Sequence, residues 1–280
     1  ALNAWVAANA ASIPEYRSWG VVSGANGDYP IFLARVWVTF SANGGQFAGG
    51  ATTTNVSYRP NIPYGSFPVA TWSGGAFNAW IQGGGSTVTV ASAVPAGGTN
   101  LTAQWTSYAI ILNSTGMNWS SSGNQNWQGQ SAITHDGVLA GQSGAISHNQ
   151  NSYLESSVTG PGTLKFWWKV SSEANFDKLI FYRGGAEQFN ISGAIDWQQR
   201  TVSIPAGIYA VKWSYTKDGS SSSGSDAGWL DQVEWTPTAV VTFYGQGGQF
   251  AGGSSTTNIT YTRDQAYKTF PTATHATLIF

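Results

Sequence analysis

The sequence predicts an all-β protein, and three observations carry the class. Only 9% of the 280 residues are charged, while 41% are hydrophobic and 14% aromatic, so the chain has ample apolar area to bury and folds. Its 35 glycines accompany runs of Ser, Thr and Asn, the composition of tight turns between short strands. Alternating apolar and polar residues mark those strands wherever a run is long enough to judge.

The first strands are the ones that recur. VTFSANGGQFAGGATTTNVSY from Val38 returns from Val241 as VTFYGQGGQFAGGSSTTNITY, 203 residues on (241 − 38), and Gly44 to Gly50 is identical to Gly247 to Gly253. Val38 and Phe40 share one face, a Gly-Gly turn follows, and Val56 and Tyr58 share the next face, so the segment is expected to be a hairpin. The first copy continues through AFNAWI (Ala76 to Ile81), STVTV and a Pro-Ala-Gly-Gly turn to NLTAQW, ending at Trp105. The complete unit is expected over residues 37–106.

Residues 1–36 read as the second half of another such unit. ALNAWV, Ala1 to Val6, matches AFNAWI, and Phe32 to Val36 matches Leu101 to Trp105. Residues 238–280 read as a first half, with Val241, Phe243, Ile259, Tyr261 and Phe270 in the places of Val38, Phe40, Val56, Tyr58 and Phe67; Phe280 corresponds to Phe77. The two terminal pieces are complementary. The expected joint therefore consists of Ala1, Leu2, Trp5, Phe32, Leu33 and Val36 on one side, and Val241, Phe243, Ile259, Tyr261, Phe270 and Phe280 on the other.

Between them, residues 107–237 carry TLKFWWKV, KLIFYRG, QQRTVSIPAG, YAVKWSY and WLDQVEW, with Gly160-Pro161-Gly162 and Pro205-Ala206-Gly207 read as turns. These suit a β-sandwich. Trp167 and Trp168 are neighbours in one strand and must point to opposite faces.

Two resemblances rest on these residues. The complete unit, through VTFSANGG, Tyr64-Gly65, Pro68, Asn78-Ala79-Trp80 and Leu101 to Trp105, resembles the internalin-type B repeat, also called the Listeria-Bacteroides repeat. That resemblance implies a small β-grasp-like fold used as a spacer or adhesive module in secreted and surface-anchored bacterial proteins. The middle segment, through HDGVLAGQSGAISHNQNSYLE, TLKFWWKVSSE and YTKDGSSSSGSDAGWLDQVEW, resembles jelly-roll domains of concanavalin or MAM type from bacterial surface proteins. Such domains often hold a structural Ca²⁺ between first and last strands, which here points to Asp136 and Asp231; carboxylates accepting backbone N–H bonds in a loop are the alternative.

The charge balance excludes polyelectrolyte partners. Twelve Lys and Arg face thirteen Asp and Glu for a net −1, too little positive field to hold a nucleic acid backbone. With no Cys there is neither a disulfide framework nor a thiolate metal site. His135, His148 and His275 lack the spacing of a metal-binding helix, and there is no nucleophile elbow or phosphate loop. Catalysis is not expected. Trp119 and Trp127, in an Asn-, Ser- and Gly-rich stretch, are expected to be exposed, to stack on sugar rings or to serve subunit contacts.

No apolar run approaches the length of a membrane span. The start at Ala1, in ALNAWVAANA, is what cleavage at a small-residue signal peptidase site leaves, and a secreted or cell-surface chain is expected. Two functions follow as expectations. One is a structural subunit of an extracellular filament, identical subunits joining head to tail by completing the split repeat. The other is a secreted or surface adhesin that binds polysaccharide, with the repeats as spacers.

Overall fold

The computed structural model describes residues 19–20, 31–32 and 35–276. It is all-β, as the sequence predicts, and divides into two compact units: Ala1–Trp72 with Phe77–Trp105, and Ser73–Ala76 with Thr106–Phe280. Two short strands, β1 (Trp19–Gly20) and β2 (Ile31–Phe32), pair antiparallel with each other.

The rest of the first unit is a five-stranded sheet. Its strands are β3 (Val36–Ser41), β4 (Thr53–Tyr58), β5 (Gly75–Gln82), β6 (Ser86–Val88) and β7 (Thr99–Ser107), in spatial order β4-β3-β7-β5-β6. The hairpin β3–β4 is antiparallel from Val36↔Tyr58 to Ser41↔Thr53, whereas β7 returns parallel to β3, with Phe40 opposite Leu101. That parallel return puts the two halves of the sequence unit side by side. Their apolar faces close on one core of Val38, Phe40, Tyr58, Tyr64, Trp80 and Leu101, all buried. The hairpin turn runs through Asn43 and Gly44 at φ of 47° and 90°, backbone that Asn and Gly adopt at little cost. At Gly45 a Cβ would lie 2.6 Å from the Thr71 carbonyl oxygen, so glycine is required there by space.

The second unit is a two-layer sandwich built on long bent strands. Short strands β8 (Trp119–Gly123), β9 (Gln128–Gln130) and β10 (Ala140–Gln142) precede β11 (Asn151–Ser171). Then come β12 (Lys178–Arg183), β13 (Ala186–Ser192), β14 (Ala194–Thr216), β15 (Ala227–Tyr244) and β16 (Thr256–Thr262). The segments read as turns, Gly160-Pro161-Gly162 and Pro205-Ala206-Gly207, are corners inside continuous strands. β11 and β14 pair along nearly their whole length, with a register shift between Gly160 and Gly162. Proline supplies no N–H to the ladder, and a Cβ at Gly160 would meet the Pro205 carbonyl oxygen, so these residues bend the ribbon without ending it.

The bend folds the ribbon's two ends face to face. Phe166, beyond the corner, meets Trp213 edge-on at 5.0 Å and Phe181 at 5.2 Å, two residues that stand opposite each other on β14 and β12. Leu154, Leu164, Trp168, Val202 and Leu230 complete the core. Trp168 is fully buried and Trp167 half-buried, the division that alternation requires.

β15 does two jobs. Gly228 to Pro237 pair with β11, and the same strand continues through Thr238–Tyr244 to pair with β16. The C-terminal half-repeat is thus an extension of the sandwich's last strand. Arg263, just past β16, donates from its backbone to the Pro237 oxygen (2.9 Å) and from its guanidinium to the Gly160 oxygen (3.1 Å), clamping the hairpin to the sandwich corner.

Candidate functional site

The hairpin β15–β16 repeats β3–β4 pair for pair. Val38↔Val56 becomes Val241↔Ile259, Val36↔Tyr58 becomes Ala239↔Tyr261, and Ser41↔Thr53 becomes Tyr244↔Thr256. Loop hydrogen bonds repeat as well: Gln46 and Thr71 exchange backbone bonds of 2.7 and 2.8 Å, and so do Gln249 and Thr274. The Tyr58 hydroxyl donates to the Ser66 oxygen at 2.8 Å, and the Tyr261 hydroxyl to the Thr269 oxygen at 2.6 Å. Identical turn residues, Gly247 to Gly253, make this possible. The half-unit is therefore organised as a hairpin like that of the complete unit.

The aromatic cluster is repeated too, with no cover among the described residues. In the complete unit Trp80 meets Phe40 edge-on at 5.0 Å and lies parallel over Phe47, and Leu101 stands opposite Phe40. In the half-unit Phe243 touches Tyr261 and Phe270, Tyr261 touches Tyr267, and Tyr267 touches Phe270. Val241, Phe243 and Tyr261 are only half-buried, where Val38, Phe40 and Tyr58 are buried. Tyr267 is 52% exposed and Phe270 65%. Burial raises the Tyr58 hydroxyl pKa, with Tyr64 adding to it. Of β15's length from Thr238 to Tyr244, one edge is paired with β16, and the edge corresponding to the β3–β7 pairing carries no strand among the described residues.

The structure brings Val241, Phe243, Ile259, Tyr261 and Phe270 together on one face. Ala1, Leu2, Trp5, Leu33 and Phe280 lie outside the described residues, and Phe32 is described only as part of β2. Val36 requires a correction: it is the first residue of β3, opposite Tyr58 and packed on the complete unit's core. Its β-branched side chain fits that hairpin, and the neighbouring Arg35 guanidinium is held by Ser57.

The expected sugar-stacking tryptophans also require correction. Trp127 is 1% exposed, its amide bonded to the Ser121 hydroxyl and its carbonyl accepting the Tyr108 hydroxyl at 2.6 Å. Burial pushes that Tyr108 hydroxyl up to about 12. Trp119 is buried against Trp213, its indole N–H on the Ser114 hydroxyl at 2.7 Å. The polar stretch around them hid two core residues, because apolar area, not neighbouring polarity, decides where an indole goes.

Asp231 is buried and both its oxygens accept backbone N–H groups, Oδ2 from His135 (2.7 Å) and Asp136, Oδ1 from Gln232 (2.7 Å). Asp136 in turn accepts from Val138. That is a loop anchor, the arrangement of the backbone-acceptor reading. Burial holds the Asp231 carboxyl above its usual range, against the pull of those bonds.

Sequence reasoning missed the sandwich's most charged feature. Lys217 is buried, with its ammonium 2.8 Å from Asp177 and 2.5 Å from Asp226. Burial opposes its charge, but the hydrogen bonds to Asp177 and Asp226 outweigh it and raise the pKa; Asp226 is lowered by the same contact against its own desolvation. Glu173 and Asp218 stand near Asp177, and the Lys217 ammonium bridges Asp177 and Asp226. A lysine beside Asp218 in a glycine- and serine-rich loop was the only signal.

No protein-family model matches the chain, and no curated protein does. Among solved structures, it is similar to the K1 cleaved adhesin domain of Lys-gingipain from Porphyromonas gingivalis at 18% identity and a TM-score of 0.34, over 42% of this chain and 90% of that one. The secreted serine protease VesC from Vibrio cholerae gives 13% and 0.40, over 78% of this chain and 57% of that one. A CBM51 module from Clostridium perfringens, solved with methyl-galactose, gives 18% and 0.26, over 41% and 90%. All three fall below 25% identity and a TM-score of 0.5.

Proposed function

We propose that the chain is an extracellular, non-enzymatic structural protein that assembles with copies of itself, its C-terminal half-repeat being the acceptor at each joint. One observation carries this reading: a hairpin with the register, loop bonds and ring contacts of a complete unit holds Tyr267 and Phe270 in water, where Tyr64 is buried and Phe67 half-buried. An apolar face beside an open strand edge is a site for another strand. Each large apolar side chain it covers contributes about 1.5–3 kcal/mol before ordering costs. A heterologous contact of this kind, repeated, propagates as a fibre. No helix among the described residues is long and apolar enough to cross a membrane.

The test is sedimentation and electron microscopy of the full chain over rising concentration. Growth in mass and length is expected, and Tyr267→Ser with Phe270→Ser should stop it. A monomer at every concentration sinks the proposal.

A second reading, a surface adhesin that binds polysaccharide, is favoured by the outward rings of the sandwich. Trp167 is stacked by His135 at 3.7 Å, and Trp197 stands edge-on to His135 at 5.9 Å. Retardation of the chain in gels containing a soluble glycan, lost in Trp197→Ala, would support it.

A further inference from the structure

Resting on the self-association reading, the complete repeat serves as a template for the joint. We infer that the open edge of β15 takes the strand around Ile31 and Phe32 of a second copy, running parallel, with Phe32 opposite Phe243 and Trp5 over Phe243 and Phe250.

In the complete unit β3 has two neighbours, β4 antiparallel and β7 parallel. In the half-unit β15 has the first of these, as β16, in the same register. What is wanting is a parallel strand with an apolar residue where Leu101 faces Phe40, preceded by a tryptophan where Trp80 covers Phe40 and Phe47. Residues 1–36 contain both in order: ALNAWV aligned with AFNAWI puts Trp5 at Trp80, and Phe32 to Val36 aligned with Leu101 to Trp105 puts Phe32 at Leu101. Among the described residues β2 is paired on one side only, with β1. One open edge meets another.

The donor strand must stop short of Arg35. The Arg35 guanidinium is bonded to the Ser57 hydroxyl and carbonyl, and Val36 already pairs with Tyr58. The donor is thereby tied to its own complete repeat within three residues of Phe32. The acceptor is tied as closely, since β15 is continuous with the sandwich and Arg263 binds the Gly160 oxygen. In the self-association reading the donor comes from a second copy, and the contact, being heterologous, propagates.

The experiment mixes two full-length variants. Trp5→Ala with Phe32→Asp disables the donor; Phe243→Arg disables the acceptor, at a half-buried site where folding is retained, as an unchanged melting transition of the sandwich will verify. Each alone should be monomeric, and an equimolar mixture should give a dimer, one intact joint between them. The chain has no Cys, so Ile31→Cys on the donor copy and Thr242→Cys on the acceptor copy, partners by analogy with Asn100 and Thr39, should crosslink on oxidation, and Leu33→Cys with Thr242→Cys should not. If the unmodified chain assembles but the mixture stays monomeric, the donor assignment is overturned and self-association stands. Dimers crosslinking through Leu33 overturn the register alone. An unmodified chain that stays monomeric, together with an Ile31→Cys/Thr242→Cys double variant that crosslinks within itself, overturns the second copy, and self-association with it.

Discussion

Tyr267 packs on Tyr261 at 4.7 Å, as Tyr64 packs on Tyr58 at 5.0 Å, yet Tyr64 is 5% exposed and Tyr267 52%. The same contact exists with and without a cover, and the difference between the two predicts how mutations divide between folding and assembly.

Replacing Tyr64 by Ala is expected to destabilise the complete repeat by about 3–5 kcal/mol, the cost of removing a buried aromatic ring. Tyr267→Ala should shift the melting of unassembled chain by less than about 1 kcal/mol, since most of that surface is already wet. It should nevertheless weaken association strongly. Calorimetry below the assembly threshold, paired with sedimentation above it, separates the two effects.

Assembly should persist in high salt and in reductant. The face formed by Val241, Phe243, Tyr261 and Phe270 carries no charge, and at ~1 M salt, where the screening length is about 3 Å, ionic joints dissolve while apolar ones do not. Fibres that come apart between ~0.05 and ~1 M NaCl would assign the joint to charges elsewhere.

Trp119→Ala and Trp127→Ala should each lower the sandwich's stability by about 3–5 kcal/mol and leave any glycan retention of the folded fraction unchanged. Loss of retention without loss of stability would restore those residues as a binding surface.

The Lys217 group gives the pH dependence its alkaline edge. Its folded pKa is raised, so the stability it supplies is present below the ordinary lysine value of about 10.4 and is lost as pH rises through the folded value. Asp226, lowered, supplies stability above the ordinary carboxylate value of about 3.9 and loses it as pH falls through its folded value. Asp231, raised by burial, works the other way in acid, its penalty disappearing on protonation. Thermal melts should therefore fall off more plainly above pH ~10.5 than in mild acid. Lys217→Met, which leaves Asp177 buried without its cation, should cost about 3–5 kcal/mol at neutral pH and remove the alkaline decline.

Much of this was legible from period and repetition. The 203-residue offset forecast the shared register of β3–β4 and β15–β16, because identical turn residues impose identical hairpins. Alternation put Trp167 and Trp168 on opposite faces, and the structure shows which of the two is buried, Trp168. What composition could not convey was depth: Trp119 and Trp127 sit in polar sequence and yet fill the sandwich, since burial depends on which strands close over a residue. Corners were misread for a related reason. Gly160-Pro161-Gly162 has the residues of a turn, but β14 bends alongside it and the ladder continues. Lys217 was illegible because its carboxylate partners come from other parts of the chain, Asp177 forty residues away.

The unbroken course of β15 has a mechanical meaning. A pull applied to Thr238–Tyr244 along the strand is delivered into the rungs that join Glu234 to Pro237 with β11 and, past the irregularity at Gln232, into those of Gly228 to Asp231. Those rungs lie across the line of force, so they are loaded together in shear and none is peeled ahead of the next. The Arg263 clamp on the Gly160 oxygen resists the sideways swing that would turn shear into peeling. Tension along β15 is passed on to β11 beside it.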